Sequence, residues 1–149
     1  MSAHAVTESR HVVCPGCGAL NRLPGDRPAG AANCGVCKAK LFAGTPTDVN
    51  GAAFDRHLNR DELPLLVDVW ASWCGPCRAM APEFHRAAGM LEPHVRLLKV
   101  NADEEPEISA RYGIRGIPAL LLFREGRLVA QTAGAMSAQR IAQWAQANL

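Results

Sequence analysis

Six cysteines in three Cys-x-x-Cys pairs are the residues of this sequence best suited to chemistry. The pairs are Cys14 with Cys17, Cys34 with Cys37, and Cys74 with Cys77. A cysteine thiolate is a nucleophile toward disulfides and a strong ligand for soft metal ions. In a reducing compartment, such pairs indicate metal binding or redox chemistry more often than a framework of structural disulfides. The three pairs therefore have to be divided between these two roles.

The first two pairs have the spacing of a four-cysteine zinc ribbon. Sixteen residues separate Cys17 from Cys34, and Gly16 and Gly35 permit the tight turns that aim backbone N–H groups at sulfur. Four thiolates in a closed tetrahedral site suit Zn²⁺ and leave no coordination position open for a substrate, so we predict a structural ion. Two labile disulfides or an iron site would be compatible with the same spacing.

The third pair lies where an apolar strand is followed by a long helix. A cysteine at a helix N-terminus faces unpaired backbone N–H groups and the positive end of the helix dipole, which both favour the thiolate. We therefore predict that Cys74 is the attacking nucleophile and that Cys77, one turn further on, resolves the mixed disulfide. Gly75 and Pro76 form a stiff connection that fixes the separation of the two sulfurs. The alternative is a second zinc knuckle, but the sequence has no fourth pair to complete it.

Asp68 is the one acidic residue in the apolar run from Leu65 to Ala71. Burying a carboxylate is costly unless the group is partnered or neutralised, so burial should raise its pKa. A carboxyl group with a raised pKa is suited to exchanging a proton with Cys77 during resolution. The alternative is a core aspartate that is bonded to backbone groups or water.

The elements that position these residues alternate between helix and strand after residue 50. We predict helices over 51–60, 75–91, 105–112 and 137–148, and strands over 65–71, 95–101, 119–123 and 128–132. Asn50 and Ser137 are expected N-caps, and Glu125-Gly126 is a hairpin signal. This order predicts an α/β fold with a mixed central sheet flanked by helices. We interpret residues 44–50 as a linker, and divide the chain into a small zinc-ribbon module with an N-terminal tail (1–46) and a second domain (47–149).

Composition and charge exclude several classes of protein. No run of apolar residues is long enough for a transmembrane helix, and the first residues lack the apolar centre of a secretory signal, so we expect a cytoplasmic protein without membrane contact. The first 46 residues carry five basic and two acidic side chains, and a zinc–thiolate site would reduce their net charge to about +1. A nucleic-acid surface is usually far more basic, so we expect no nucleic-acid partner.

From about residue 50 to the C-terminus, the sequence resembles the thioredoxin family. The matching stretches are Val67 to Arg78 (Val-Asp-Val-Trp-Ala-Ser-Trp-Cys-Gly-Pro-Cys-Arg), Lys99 to Asp103, Tyr112 to Ala119, and Gly134-Ala135. The Trp-Cys-Gly-Pro-Cys motif is highly specific to this family. The resemblance implies a thioredoxin fold and the reduction of disulfides in protein substrates. A preceding four-cysteine ribbon is similar to that of the thioredoxin-2 type, which implies recharging by an NADPH-dependent thioredoxin reductase.

The resemblance also implies the roles of further residues. Pro118 would be a cis-proline that faces the disulfide, and the backbone of Ile117 would pair with an extended substrate strand. The remaining substrate-binding residues would be Trp73, Gly75, Pro76 and Gly134. Lys99 would lie near the buried acid, and Pro82 would kink the active-site helix. We further expect a monomer with a redox-active disulfide and no bound organic cofactor.

Two other functions stay open from the residues alone. The ribbon could be the working part of a binding module, with the second domain as its scaffold. It could also be a redox sensor that releases zinc on oxidation. We expect His4, His57, His85 and His94 to be surface or partly packed residues.

Overall fold

The computed structural model describes residues 9–149 as an antiparallel hairpin followed by one mixed sheet with its covering helices. The elements are β1 (Arg10–Val13), β2 (Leu20–Leu23), β3 (Thr47–Asp48), α1 (Gly51–Arg60), β4 (Leu65–Trp70), α2 (Gly75–Leu91), β5 (Arg96–Asn101), α3 (Pro106–Arg111), β6 (Ala119–Arg124), β7 (Arg127–Ala133) and α4 (Ala138–Ala147). A 3₁₀ turn over Ala29–Ala31 follows the hairpin. His4 lies outside the described residues.

The larger sheet has five strands in the order β3-β5-β4-β6-β7. β5 runs parallel to both β3 and β4, whereas β6 is antiparallel to β4 and β7 is antiparallel to β6. One apolar core joins this sheet to α2 and α4, and a second joins its other face to α1 and α3. The predicted mixed central sheet flanked by helices is therefore confirmed. Within residues 9–149, every helix is too short or too polar to span a lipid bilayer.

Capping side chains fix the starts of two helices as the sequence predicts. The Asn50 side chain accepts a hydrogen bond from the Ala53 N–H at 2.8 Å, and the Ser137 hydroxyl accepts one from the Arg140 N–H at 3.2 Å. Each bond satisfies one of the N–H groups that the first turn of a helix leaves unpaired.

The interpretation of residues 44–50 as a linker is wrong for its central part. Thr47 and Asp48 form the short edge strand β3, in which Asp48 is aligned with Lys99 of β5. A strand of two residues is too short to show an alternating pattern, so β3 cannot be predicted from hydrophobic periodicity. The predicted boundary between residues 46 and 47 stays a prediction.

Residues 10–43, which we call the ribbon, share a small core with the larger sheet domain. Its buried apolar residues include Val12, Leu23, Leu41 and Phe42, together with two cysteines. Leu63, which follows α1, packs into the same cluster. The ribbon therefore buries its apolar side chains partly against the rest of the chain.

Arg96 is the polar centre of the contact between the ribbon and the sheet domain. The side chain is 1% exposed, and its guanidinium donates to the carbonyl oxygens of Leu41 at 2.7 Å and Val13 at 3.2 Å. The guanidinium carbon lies 4.3 Å from the centre of the Phe42 ring. Burial lowers the pKa of Arg96 and raises the pKa of Glu92, whose carboxylate lies 3.8 Å from the guanidinium.

His57 and Asp61 form a second polar contact to the ribbon. Their side chains are paired and buried, and the other carboxylate oxygen of Asp61 accepts a hydrogen bond from the Val13 N–H at 2.7 Å. The expectation of a surface or partly packed His57 is wrong, because this residue lies one turn after Phe54 on the inner face of α1.

We expect Arg96→Met to lower the free energy of unfolding by about 3–5 kcal/mol, because it leaves the buried Glu92 carboxylate and two buried carbonyls without their partner. Urea denaturation measures this loss. Arg127→Met, at an exposed position on β7, is the control with the same change in charge. A loss no larger than that of the control would contradict a role for Arg96 in joining the two parts.

Candidate functional site

Cys74 and Cys77 form a disulfide at the N-terminus of α2, with their Cα atoms 5.2 Å apart. Cys74 is the N-cap residue of this helix, and its sulfur accepts a hydrogen bond from the Cys77 N–H at 3.2 Å. The sulfur therefore takes the capping position that a hydroxyl or carboxylate oxygen takes in other helices. At this position, the backbone N–H groups and the helix dipole stabilise a negative charge on sulfur once the disulfide is reduced.

The connection from β4 to α2 holds this cap in place. β4 ends at Trp70, and the Cys74 N–H then donates to the carbonyl of Ala71 at 3.2 Å in a tight turn. The Arg78 side chain reaches back to the Ser72 carbonyl at 2.8 Å. Pro76 lies in the first turn of α2, where a missing N–H costs no intrahelical hydrogen bond.

A second loop closes over the disulfide. The peptide bond between Ile117 and Pro118 is cis, and the Ile117 carbonyl oxygen lies 3.7 Å from the Cys74 sulfur. The Gly134 N–H donates to the Pro118 carbonyl at 2.8 Å, and Gly134 has φ of +107°, a conformation that a residue with a side chain rarely adopts. These three residues, predicted as substrate-binding, are thus brought together beside the redox pair.

The other predicted substrate-binding residues lie on the exposed side of the same site. Gly75 and Pro76 are exposed between the two cysteines. Trp73 is 67% exposed, and its indole N–H donates to the Asp103 carboxylate at 3.0 Å. An exposed aromatic ring fixed by one hydrogen bond presents a flat apolar surface next to the disulfide.

Asp68 is buried in the middle of β4 and is 1% exposed. Neither of its carboxyl oxygens has a hydrogen-bond partner among residues 9–149, so the alternative of a core aspartate bonded to backbone groups has no support here. Burial raises its pKa to about 7. The positive charge of Lys99 partly offsets this rise, and the negative charge of Asp48 adds to it. A carboxyl group that titrates near neutrality can both accept and release a proton at working pH.

Lys99 and Pro82 also have defined positions. Lys99 is aligned with Asp68 on the adjacent parallel strand, and its ammonium nitrogen lies 5.0 Å from the centre of the Trp70 ring. Pro82 lies inside α2, which continues past it to Leu91. The roles of both residues remain predictions.

The other four cysteines converge in the ribbon. The sulfurs of Cys14, Cys17, Cys34 and Cys37 all lie within 4.8 Å of one another. The separations are 3.6 Å between Cys14 and Cys37 and 3.7 Å between Cys17 and Cys34. A tetrahedron with metal–sulfur bonds of about 2.3 Å has edges of about 3.8 Å, so the cluster matches the shape of a Zn²⁺ site.

Hydrogen-bond donors surround the sulfurs of this cluster. The Gly16 N–H donates to Cys14 at 3.3 Å, and both the Val36 N–H and the Asn21 side-chain amide donate to Cys34 at 3.4 Å. The Cys37 N–H, followed by the Asn21 amide, lowers the pKa of Cys34 to about 6, whereas the pKa of Cys17 is raised to about 11 because the lowering by the Ala19 backbone hydrogen bond is outweighed by burial and the neighbouring thiols. These donors favour thiolates, which are the form that binds the metal, so the residues present fit zinc.

Sequence reasoning missed Asn21, Asp103 and Asp48 as parts of these sites. Asn21 lies on β2, and its amide meets Cys34 only because the ribbon folds back on itself. Asp103 is the last residue of a stretch that matches the family, and Asp48 belongs to the residues interpreted as a linker. The types of these residues carry no signal of their own, since asparagine and aspartate are common in turns and caps.

Comparisons with known proteins agree with this geometry. The family model described as Thioredoxin matches residues 45–147, and the model described as Thioredoxin 2, N-terminal, a zinc ribbon, matches residues 13–39. Thioredoxin C-3 of Corynebacterium nephridii is 37% identical over 138 residues, which cover 93% of this chain and 94% of that protein.

Two further relatives match the larger domain. Thioredoxin of Rhodospirillum rubrum is 38% identical over 101 residues, covering 68% of this chain and 97% of that protein. The solved structure of a mutant thioredoxin from Halobacterium salinarum superimposes with a TM-score of 0.63 and 26% identity, over 70% of this chain and 91% of that one. With its redox disulfide, thioredoxin fold and preceding four-cysteine ribbon, this chain belongs to the thioredoxin family of thiol–disulfide oxidoreductases and is of the thioredoxin-2 type.

Proposed function

We propose that this oxidoreductase works as a reductase of protein disulfides, with Cys74 as nucleophile, Cys77 as resolving thiol and Asp68 as proton acceptor. The observation that supports this most strongly is the position of the Cys74 sulfur, which caps α2 and lies beside the Ile117 carbonyl. The buried Asp68, without a hydrogen-bond partner among the described residues, provides the proton acceptor.

The first step forms a mixed disulfide. The Cys74 thiolate of the reduced chain attacks one sulfur of the substrate disulfide, the substrate S–S bond breaks, and the second substrate sulfur leaves as a thiolate. An extended substrate segment would pair with the backbone of Ile117, next to Pro118 and Gly134, and pack against the exposed ring of Trp73. The substrate disulfide would then lie near the Cys74 sulfur at the N-terminus of α2.

The second step releases the substrate. The Cys77 thiol gives its proton to Asp68, and the resulting thiolate attacks the Cys74 sulfur, so the mixed disulfide breaks and the first substrate sulfur leaves as a thiolate. Two electrons have then passed to the substrate, and the chain is left with the Cys74–Cys77 disulfide. The carboxyl group of Asp68 subsequently loses its proton to water.

Membership of the family supports the rest of the cycle. A thioredoxin reductase that consumes NADPH would return the disulfide to the dithiol, and the protein would act in the cytoplasm as a monomer. Cys14, Cys17, Cys34 and Cys37 would hold a structural Zn²⁺ within the module of residues 1–46. The ion would stabilise a module whose hydrophobic core is too small to be stable alone, and it would take no part in the exchange.

We expect Cys74→Ser to abolish the reduction of insulin by NADPH and thioredoxin reductase, because no other sulfur caps α2. Cys77→Ser should stop turnover but accumulate a mixed disulfide, since the attacking thiol remains and the resolving one is gone. A coupled NADPH assay measures both effects, with Ser72→Ala as a control beside the site. Full turnover by Cys74→Ser would refute the assignment of the nucleophile.

We expect Asp68→Asn to slow the resolving step about 10²-fold at pH 7, because the proton acceptor is lost. The pKa of Asp68 is raised on folding, so its contribution to stability is present at low pH and is lost as the pH rises from about 4 to about 7. The variant should therefore be more stable than the wild type by about 3–4 kcal/mol at pH 8 and by much less at pH 4.

Stopped-flow kinetics and urea denaturation, each as a function of pH, measure these two effects of Asp68→Asn. Asp26→Asn is the matched control, since it removes an exposed carboxylate far from the redox pair along the chain, in the ribbon. An unchanged resolving rate, or equal stabilisation at both pH values, would contradict the account of Asp68.

We expect one zinc ion per chain and no iron-type visible absorption. Cys17→Ser removes one thiolate of the cluster and should weaken zinc binding by at least about 10²-fold, while the coupled NADPH assay retains most of its rate, because the redox site uses no ribbon residue. Metal analysis with a colorimetric chelator measures the affinity. A wild-type chain that binds iron, or a Cys17→Ser variant without activity, would contradict a purely structural zinc site.

A further inference from the structure

Three charged residues lie side by side on neighbouring strands of the sheet. In the register of the strands, Asp48 of β3 is aligned with Lys99 of β5, and Lys99 is aligned with Asp68 of β4. Because aligned residues of a ladder point to the same face, the three side chains emerge on one side of the sheet. That side is the one covered by α2, since Leu120, which opposes Asp68, packs with Met80 of α2.

Lys99 stands between the two acids without a close ion pair to either of them among the described residues. Its ammonium group instead lies over the Trp70 ring, 5.0 Å from the ring centre. Asp48 is exposed, whereas Asp68 is buried. The single positive charge therefore faces one solvated carboxylate and one buried carboxyl group at the same time.

An open cleft of about 330 Å³ lies at the exposed end of this row. Its lining includes Asp48, Lys99, Trp70 and Glu104. The ammonium group of Lys99 is thus reached by water from the side of Asp48, while the carboxyl group of Asp68 lies behind it in the sheet.

We propose that Asp48 is a positioning residue for the dithiol–disulfide exchange. Asp48 shares the Lys99 ammonium with Asp68 and so keeps Asp68 able to take up and release a proton. The proposal rests on the proposed function for the role of Asp68 in resolution. Without Asp48, the undivided charge of Lys99 would favour the Asp68 carboxylate, and the repulsion from the second carboxylate would vanish. Both changes would make Asp68 a weaker base toward Cys77.

The size of the effect follows from the spacing of strands. Asp48 and Asp68 are two inter-strand spacings apart, about 9.6 Å. At this distance a unit charge shifts a titration by about 0.3 to 1.3 pH units, for an effective dielectric constant between that of water and that of a protein surface. The direct effect agrees in sign with the pKa of Asp68, which Lys99 lowers and Asp48 raises after the larger contribution of burial.

Few other charges act on Asp68 from the elements around it. β6 contributes Leu120 and α2 contributes Met80, which are both apolar. Cys77 of α2 does not titrate while it is part of the disulfide. The charged groups that remain are Lys99 on β5, Asp48 on β3 and Glu104 at the cleft.

The test is a titration of the Asp68 carboxyl carbon by ¹³C NMR in the oxidised full-length chain, with its signal assigned by its absence in Asp68→Asn. The variants are Asp48→Asn, Lys99→Met and the double variant. Asp26→Asn, at an exposed position in the ribbon, is the control for loss of one negative charge. The pH profile of the resolving step is measured on the same proteins.

We expect Asp48→Asn to move the midpoint of the Asp68 titration to lower pH by about half a unit to one unit. The midpoint of the pH dependence of the resolving rate should move by the same amount. In the Lys99→Met background only the direct repulsion between the two carboxylates remains, so the same substitution should move the titration by a smaller amount. A shift no larger than that of Asp26→Asn would overturn the proposal, and so would an equal shift with and without Lys99.

The two proposals fail in different ways. If the resolving rate of Asp68→Asn still changes with pH as in the wild type, the proton-acceptor role of Asp68 is wrong and so is the role of Asp48 in resolution. If Asp68→Asn removes that pH dependence while Asp48→Asn moves neither measurement, the proposed function stands and the role of Asp48 alone is refuted.

Discussion

The hydrogen bond from the Cys77 N–H to the Cys74 sulfur, at the first turn of α2, is the contact on which the proposed chemistry of this protein depends. It requires β4 to end at Trp70, a tight turn through Ala71 and a helix that begins at Gly75. The sheet supplies the first condition, since β4 lies between β5 and β6 and is held on both sides. The fold thus serves to hold one sulfur at the positive end of a helix, where a thiolate is stabilised.

Arg96 at the contact with the ribbon and Asp68 in β4 are both buried charged residues, but their roles differ. Two guanidinium nitrogens of Arg96 donate to backbone carbonyls and the group lies over the face of Phe42, so Arg96 joins the ribbon to the sheet domain even though its Nε has no partner among the described residues. Asp68 lacks a hydrogen-bond partner among the described residues, and burial raises its pKa to about 7. A buried charge with several hydrogen bonds contributes to structure, whereas a buried carboxyl group without any is costly and points to a functional role.

The sequence predicted those parts of the sites whose chemistry lies in residue type and local spacing. The cysteine pairs and Asp68 belong to this class, and the helix caps Asn50 and Ser137 do as well. Contacts between distant segments could not be predicted from local patterns. The backbone partners of Arg96, for example, lie 55 and 83 residues away along the chain. The alignment of Asp48 with Lys99 depends on the register of a strand only two residues long, which no periodic pattern can reveal.

The reactivity of the individual cysteines toward iodoacetamide tests the central claim most directly. The reduced, zinc-loaded chain would be alkylated briefly at pH 7 and the labelled peptides quantified by mass spectrometry. Because, within residues 9–149, only the Cys74 sulfur caps a helix, we expect Cys74 to react at least about tenfold faster than Cys77, and faster than every cysteine of the ribbon. Preferential labelling of Cys77 or of a ribbon cysteine would show that the nucleophile has been wrongly assigned.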